Sequence, residues 1–234
     1  MPSNDELPVV EGHISKTFDG ELSSLHLHVV QMGGLVLKQV QEAALAYREW
    51  QPETARQVVQ HEHDVNSYEE TIDAEQFGLI ARRAPVASDL RVIVAMSKCI
   101  AELERAGDEA RKIAGAVLRH AGRPDRATVS DVQHLSELAV SLLRLSLESL
   151  DRIDDAAAAQ VIERDEELDA EYASGLRRLL RRAVDETQHV DVTLDAAFVL
   201  KSLERIGDHA RNLARQVRGI VSETAKQDGV QQHA

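Results

Sequence analysis

The chain's 234 residues suffice to bury a sizeable core, and with 43% of them hydrophobic but only 3% aromatic, that core must be built from small aliphatics. Forty acidic residues against 27 basic ones leave a net charge of −13, which repels phosphate backbones and argues against direct nucleic-acid binding. Cys99 is the sole cysteine, no stretch approaches a membrane-spanning apolar run, and the N-terminus lacks a basic-then-apolar leader. These features predict a cytoplasmic protein without an internal disulfide or membrane insertion.

Phe18, Leu22, Leu25, Val29, Met32 and Val36 are spaced alternately by four and three, one apolar stripe of a long helix that reaches Tyr47. Gln51-Pro52-Glu53 reads as a turn with proline opening the next helix, which runs to about Leu79 and stops before Pro85. Ser88 and Asp89 are candidate caps for a third helix ending near Leu118. Ala121-Gly122-Arg123-Pro124-Asp125 is a linker, and three more helical patterns follow at about Ala127–Arg152, Asp155–Val184 and Asp191–Val221.

The two halves repeat one another. Ile100–Val117 and Leu200–Val217 share nine identities in eighteen positions, and Glu62/Val65/Asn66 parallels Asp165/Leu168/Asp169. The expected fold is all-α, two tandem, sequence-related three-helix bundles, the first over residues 13–121 and the second over 125–223. Residues 1–12 and 224–234 are expected to be flexible tails.

A polar pair recurs at i,i+4 spacing at Glu62/Asn66, Glu104/Asp108, Asp165/Asp169 and Glu204/Asp208. Such residues lie one turn apart on one helix face, and two like charges there cost about 0.2–0.5 kcal/mol. Their recurrence in both halves calls for a compensating role. Oxygen-rich clusters suit hard or borderline cations, here magnesium, manganese, iron or zinc. Glu104 and Asp108, like Glu204 and Asp208, each follow a residue of the apolar stripe, so they rim the core. Arg105, Arg111, Arg205 and Arg211 are placed to neutralise them as ordinary surface acids. Gly107 and Gly207 cost roughly 1 kcal/mol each in a helix interior, which points to close helix–helix contact.

Ala87-Ser88-Asp89-Leu90-Arg91, with Glu104-Arg105-Ala106-Gly107-Asp108 and Glu204-Arg205-Ile206-Gly207-Asp208, resembles the PhoU family of phosphate-transport accessory proteins. The likeness extends from about Ile14 to Val221, in the family's order. It implies a six-helix fold, a homodimer and no enzymatic activity. It further implies negative regulation of phosphate uptake and of the phosphate-starvation response, by linking the ATPase subunit of the phosphate ABC transporter to a phosphate-sensing histidine kinase. The family's acid-x3-acid motifs bind metal in some members; they fall on Glu104/Asp108, Asp165/Asp169 and Glu204/Asp208. Glu62 fits the first place of a fourth motif, where Asn66 replaces the second acid and makes that site the weaker one.

Two other classes compete. A carboxylate-bridged di-metal enzyme needs Glu-x-x-His pairs facing a bundle core, and only Glu186-Thr187-Gln188-His189 has that spacing. A metal-free helical scaffold would also show six amphipathic helices, without a reason for the doubled acids. No phosphate-loop, zincin or nucleophile-elbow motif occurs. Of the histidines, His61 and His63 flank Glu62 and His26 and His28 lie off the first helix's stripe; all four read as surface residues. Cys99 reads as a core side chain.

Overall fold

A computed structural model describes residues 16–85, 87–119, 122–185 and 190–231 of the protein. Six helices follow one another: α1 (Lys16–Glu49), α2 (Pro52–Arg83), α3 (Ala87–Arg119), α4 (Arg126–Arg152), α5 (Asp155–Asp185) and α6 (Val190–Gln231). No strand occurs among the described residues. Their breaks have local causes. Trp50 takes a left-handed φ of 55° and packs edge-on against Tyr47, and Pro52 then opens α2 without losing a helical N–H. Ala84 ends α2 in the left-handed region before Pro85. The Asp125 carboxylate accepts from the Thr128 N–H at 2.9 Å and caps α4. Ile153, in the left-handed region, ends α4, and Asp154 caps α5 by accepting from Ala156 and Ala157.

Two boundaries differ from the sequence reading. The third helix begins at Ala87, which puts Asp89 inside its first turn instead of before it. The Ser88 side chain lies outside the described residues. The sixth helix continues to Gln231, ten residues past Val221 and into the segment expected to be a tail. Residues 1–15 and the Glu186–His189 stretch also lie outside the described residues.

Each half is a three-helix unit, and the two units share one continuous core in which α1 packs on α4 and α3 packs on α6. Both pairs run antiparallel. Arg119 near the end of α3 bonds Asp195 near the start of α6 at 3.2 Å, while Glu102 bonds His209 at 2.7 Å. The duplicated units are thus related by an approximate two-fold axis across the α3–α6 crossing.

That shared core overturns one expectation. His26 is buried, and its Nε2 pairs with the Leu150 carbonyl oxygen at 2.8 Å across the junction of the halves. The single stripe read on α1 accounts for only one of its packing faces; a second face meets α4. His28 is half-exposed and pairs with Glu75 at 2.7 Å. Cys99 is fully buried, and burial, then the nearby Glu102 charge, pushes its thiol up to about 12, so it stays protonated and inert.

Adjacent glycines on α1 separate helix propensity from packing. A Cβ on Gly33 would overlap the Leu147 side chain at the α1–α4 contact, whereas one on Gly34 meets nothing within 4 Å. Gly34→Ala should stabilise the protein by up to about 1 kcal/mol in urea unfolding. Gly33→Ala should destabilise it by about 1–3 kcal/mol, since Leu147 must be displaced from a packed core.

Candidate carboxylate site

In each half the second and third helices pack side by side, and their acids meet along the groove between them. In the first half, Glu62 comes from α2 and Asp108 from α3. Arg111 sits between them, its Nε 2.6 Å from a Glu62 oxygen and its Nη2 3.2 Å from Asp108 Oδ1. In the second half Arg211 does the same, bonding Asp165 of α5 and, at 2.5 Å, Asp208 of α6. Arg111 and Arg211 occupy equivalent places in the repeat, three residues beyond the acid that ends each Glu-Arg-x-Gly-Asp sequence. Each half therefore carries one guanidinium clipped between carboxylates of two helices.

In the second half a glycine sets this spacing. A Cβ on Gly207 would lie 2.9 Å from Leu168, and Leu168 is flanked on α5 by the acid pair Asp165 and Asp169. A Cβ on Gly107 would lie 3.0 Å from Gln39 and 3.9 Å from Val65, which precedes Asn66. Close approach at Gly207 lets carboxylates of α5 and α6 face one guanidinium, whereas the tight neighbour of Gly107 is Gln39 of α1 and its contact with Val65 of α2 is an ordinary one.

Burial and crowding leave these acids poorly compensated. Desolvation first, then Asp108, Glu69 and Glu62, raise Glu104 above the usual carboxylate range, with Arg105 opposing. Glu62 is raised by desolvation, against the pull of Arg111 and with the push of Asp108. Asp165 is only 3% exposed and is raised by desolvation and by Asp169 and Asp208, although Arg211 pulls the other way. One of its oxygens, Oδ1, is buried without a hydrogen-bond partner. Such an orphaned carboxylate oxygen is costly, and its lone pairs are available to a ligand.

The eight residues singled out in the sequence are thus treated unequally. Glu62, Glu104 and Asp108 are brought together, and so are Asp165, Asp169 and Asp208. Asn66 is exposed and makes no recorded bond into the first cluster. Glu204 is bound to Lys201 at 2.5 Å. The acids do rim the core, although Asp165 sits deeper than a rim position. Arg105 and Arg205 turn away, to Glu102 at 3.4 Å and Glu109 at 3.0 Å. His61 pairs with Glu42 at 3.2 Å, and His63 is exposed. Among the described residues, no three His, Cys, Asp or Glu side chains stand in an arrangement that could hold a metal ion. The carboxylate donor set and the free Asp165 oxygen nonetheless suit a hard cation once a guanidinium moves aside.

Sequence reasoning missed Glu69, which raises Glu104 and is itself raised by desolvation, Asp73, Glu70 and Asp108. Its spacing of seven from Glu62 is the signal that places it on the same face. The Glu102–His209–Asn212 set at the α3–α6 crossing was also missed. It joins residues more than a hundred positions apart, which helical periodicity within one element does not connect.

The family model described as PhoU domain matches the chain twice, over residues 29–117 and 132–217, one match per three-helix unit. The chain belongs to the PhoU family. A Pseudomonas putida relative named phosphate-specific transport system accessory protein PhoU homolog is 38% identical over 214 residues, covering 91% of this chain and 83% of that relative. The Escherichia coli K12 protein named phosphate-specific transport system accessory protein PhoU is 33% identical over 201 residues, covering 86% of this chain and 83% of that protein. The crystal structure of PhoU from Pseudomonas aeruginosa superposes with a TM-score of 0.84 at 36% identity, covering 88% of this chain and 99% of that one. A Streptococcus pneumoniae PhoU structure, at 24% identity, shares the fold with a TM-score of 0.80 over 87% of this chain and 96% of that one. These PhoU relatives are named as accessory or regulatory proteins, not as enzymes. No described helix is long and apolar enough to cross a membrane.

A raised carboxyl pKa means the folded state holds the proton more tightly than the unfolded chain, so the ionised group costs stability above the ordinary glutamate range near pH 4.3. That cost disappears as the pH falls below this range. Glu104→Gln should therefore raise the melting temperature at pH 7, by an amount equivalent to about 0.5 kcal/mol. The gain over the parent should vanish at about pH 3.5, where both side chains are uncharged.

Proposed function

We propose that this chain is a non-enzymatic regulator of phosphate uptake, acting in the cytoplasm as a homodimeric adaptor whose two acidic grooves take up divalent or iron cations. Membership of the PhoU family and the names of its relatives support the link to phosphate transport. Its partners on this reading are the transporter's ATPase subunit and a phosphate-sensing histidine kinase, and its effect is to restrain uptake and the starvation response when phosphate is plentiful.

The observation that carries the cation reading is the same arginine clip built twice from equivalent residues. Without a cation, Arg111 and Arg211 supply the positive charge that clustered acids on adjacent helices require. A divalent ion supplies more charge and takes several carboxylate oxygens at once. Glu62, Glu104 and Asp108, with Glu69, would hold it in the first groove; Asp165, Asp169 and Asp208, with Glu204 released from Lys201, would hold it in the second. Asn66 contributes only a neutral oxygen, which makes the first groove the weaker site. Exchange of guanidinium for metal changes the charge of the groove and frees an arginine at its edge, a change a partner can read. The bound metal supplies charge and helix spacing and takes part in no reaction.

Arg211→Ala should destabilise the metal-free protein by about 1.5–3 kcal/mol, the worth of a hydrogen bond to a charged group, as read by thermal unfolding in chelator. Added manganese or magnesium should recover that loss, and calorimetry should show tighter metal binding than in the parent. Glu204→Ala with Asp208→Ala should abolish metal at the second groove and leave helicity intact. Unchanged metal content per chain in that double variant would overturn the site assignment.

A further inference from the structure

Exposed apolar side chains gather at one end of each half. Leu180 and Val184 lie one turn apart on α5; Val190, Leu194 and Phe198 lie one turn apart on α6, and the two helices pack together. Val184 is 78% exposed and Phe198 is 58% exposed. Single exposed leucines are ordinary, but two aligned apolar rows on neighbouring helices are a surface that expects cover. The repeat carries a smaller version at equivalent positions, with Phe77 on α2 and Leu90 and Val94 on α3, all exposed. Because α3 and α6 run antiparallel, the two patches lie at opposite ends of the molecule.

The larger patch has an unusual border for so acidic a chain. Arg177-Arg178-Leu179-Leu180-Arg181-Arg182 divides between two faces of α5. Arg178 and Arg182 turn to α4, where Asp131 takes both, and Arg178 also bonds Glu171. Arg177 and Arg181 are exposed beside Leu180 and form no ion pair among the described residues. The opposite edge, on α6, carries Asp191, and the cations beside Phe198 (Lys112, Arg119, Lys201 and Arg205) are each held by a carboxylate, so the positive charge without an ion pair runs along the α5 side.

We infer that this α5–α6 surface docks an amphipathic helix of another protein, with its apolar row over Leu180, Leu194 and Phe198 and a row of carboxylates against Arg177 and Arg181. Apolar anchors at helical spacing laid across a groove are a recurrent mode of peptide recognition. The unpaired arginines select the acidic flank and set its orientation. A second copy is the competing occupant, because one two-fold pairing lays the Arg177/Arg181 edge against the partner's Asp191 edge; sedimentation separates the two. An anionic membrane fits poorly, because Asp191 stands at the patch edge and the whole chain carries a net charge of −13. This inference is independent of the cation reading.

The test uses the full chain and two synthetic helical peptides with leucines at i, i+3, i+4 and i+7, one flanked by glutamates and the other by lysines. Fluorescence anisotropy should show the glutamate peptide binding at least tenfold more tightly, with amide-exchange protection at 177–184 and 190–198. Arg177→Glu with Arg181→Glu should invert the preference, and Leu180→Ser with Phe198→Ser should abolish binding of both peptides while leaving the melting temperature unchanged. Equal binding of the two peptides, protection elsewhere, or an unchanged preference in the double charge reversal would overturn the proposal. So would stronger binding to phosphatidylglycerol vesicles than to either peptide. If Leu180→Ser with Phe198→Ser instead splits a dimer in sedimentation, the patch belongs to a second copy and the proposal fails.

Discussion

Close approach of α5 and α6 at Gly207 governs the acidic groove in the second half of this PhoU-family protein. At Gly207 a methyl group would already press on Leu168, and the residues flanking Leu168 on α5 carry the acids that meet Asp208. Helices held further apart would leave Asp165 and Asp208 as separate solvated surface charges. Brought together, they lose water, repel one another and need a shared counter-charge. In both halves an arginine from the same helix as the second acid supplies it. In the second half packing at Gly207 thereby creates the electrostatic demand that defines the groove.

The clip is a compromise. A guanidinium pairs with two carboxylates but leaves Asp165 Oδ1 and its own Nε–H, in Arg111 and in Arg211, without a hydrogen-bond partner, and Glu104 among like charges. Such a site is stable enough to persist and strained enough to respond. The response proposed here, exchange of guanidinium for a cation, needs no change of fold, because the two halves are locked through α1–α4 and α3–α6 into one core. Within that rigid body the moving parts are side chains at the groove edge.

Much of this was legible in the sequence, for physical reasons. Six apolar stripes bounded by Pro52, Pro85, the Gly122–Pro124 linker, Asp154-Asp155 and the polar sequence Asp185–Asp191 mark six helices, and helical periodicity is the strongest local signal a chain carries. The repeat placed equivalent residues of the two halves before any coordinates did, and it singled out Gly107 and Gly207. Less legible was how the units sit on each other. His26 looked like a surface residue because its helix has two packed faces, and only the second one meets α4. Arg111 and Arg211 were visible as possible neutralisers. That they, and not Arg105 and Arg205, reach the acids of each groove depends on angles about each helix axis that sequence spacing leaves loose.

The most direct test is nitrogen-15 NMR of the arginine guanidinium N–H groups, terminal nitrogens included, during a magnesium titration of the metal-free protein. The account requires the Arg111 and Arg211 signals to lose their ion-paired shifts as metal binds, with Arg178 and Arg182, clipped to Asp131 elsewhere, unmoved. Metal binding that leaves the Arg111 and Arg211 signals in place, or moves all four alike, would contradict it.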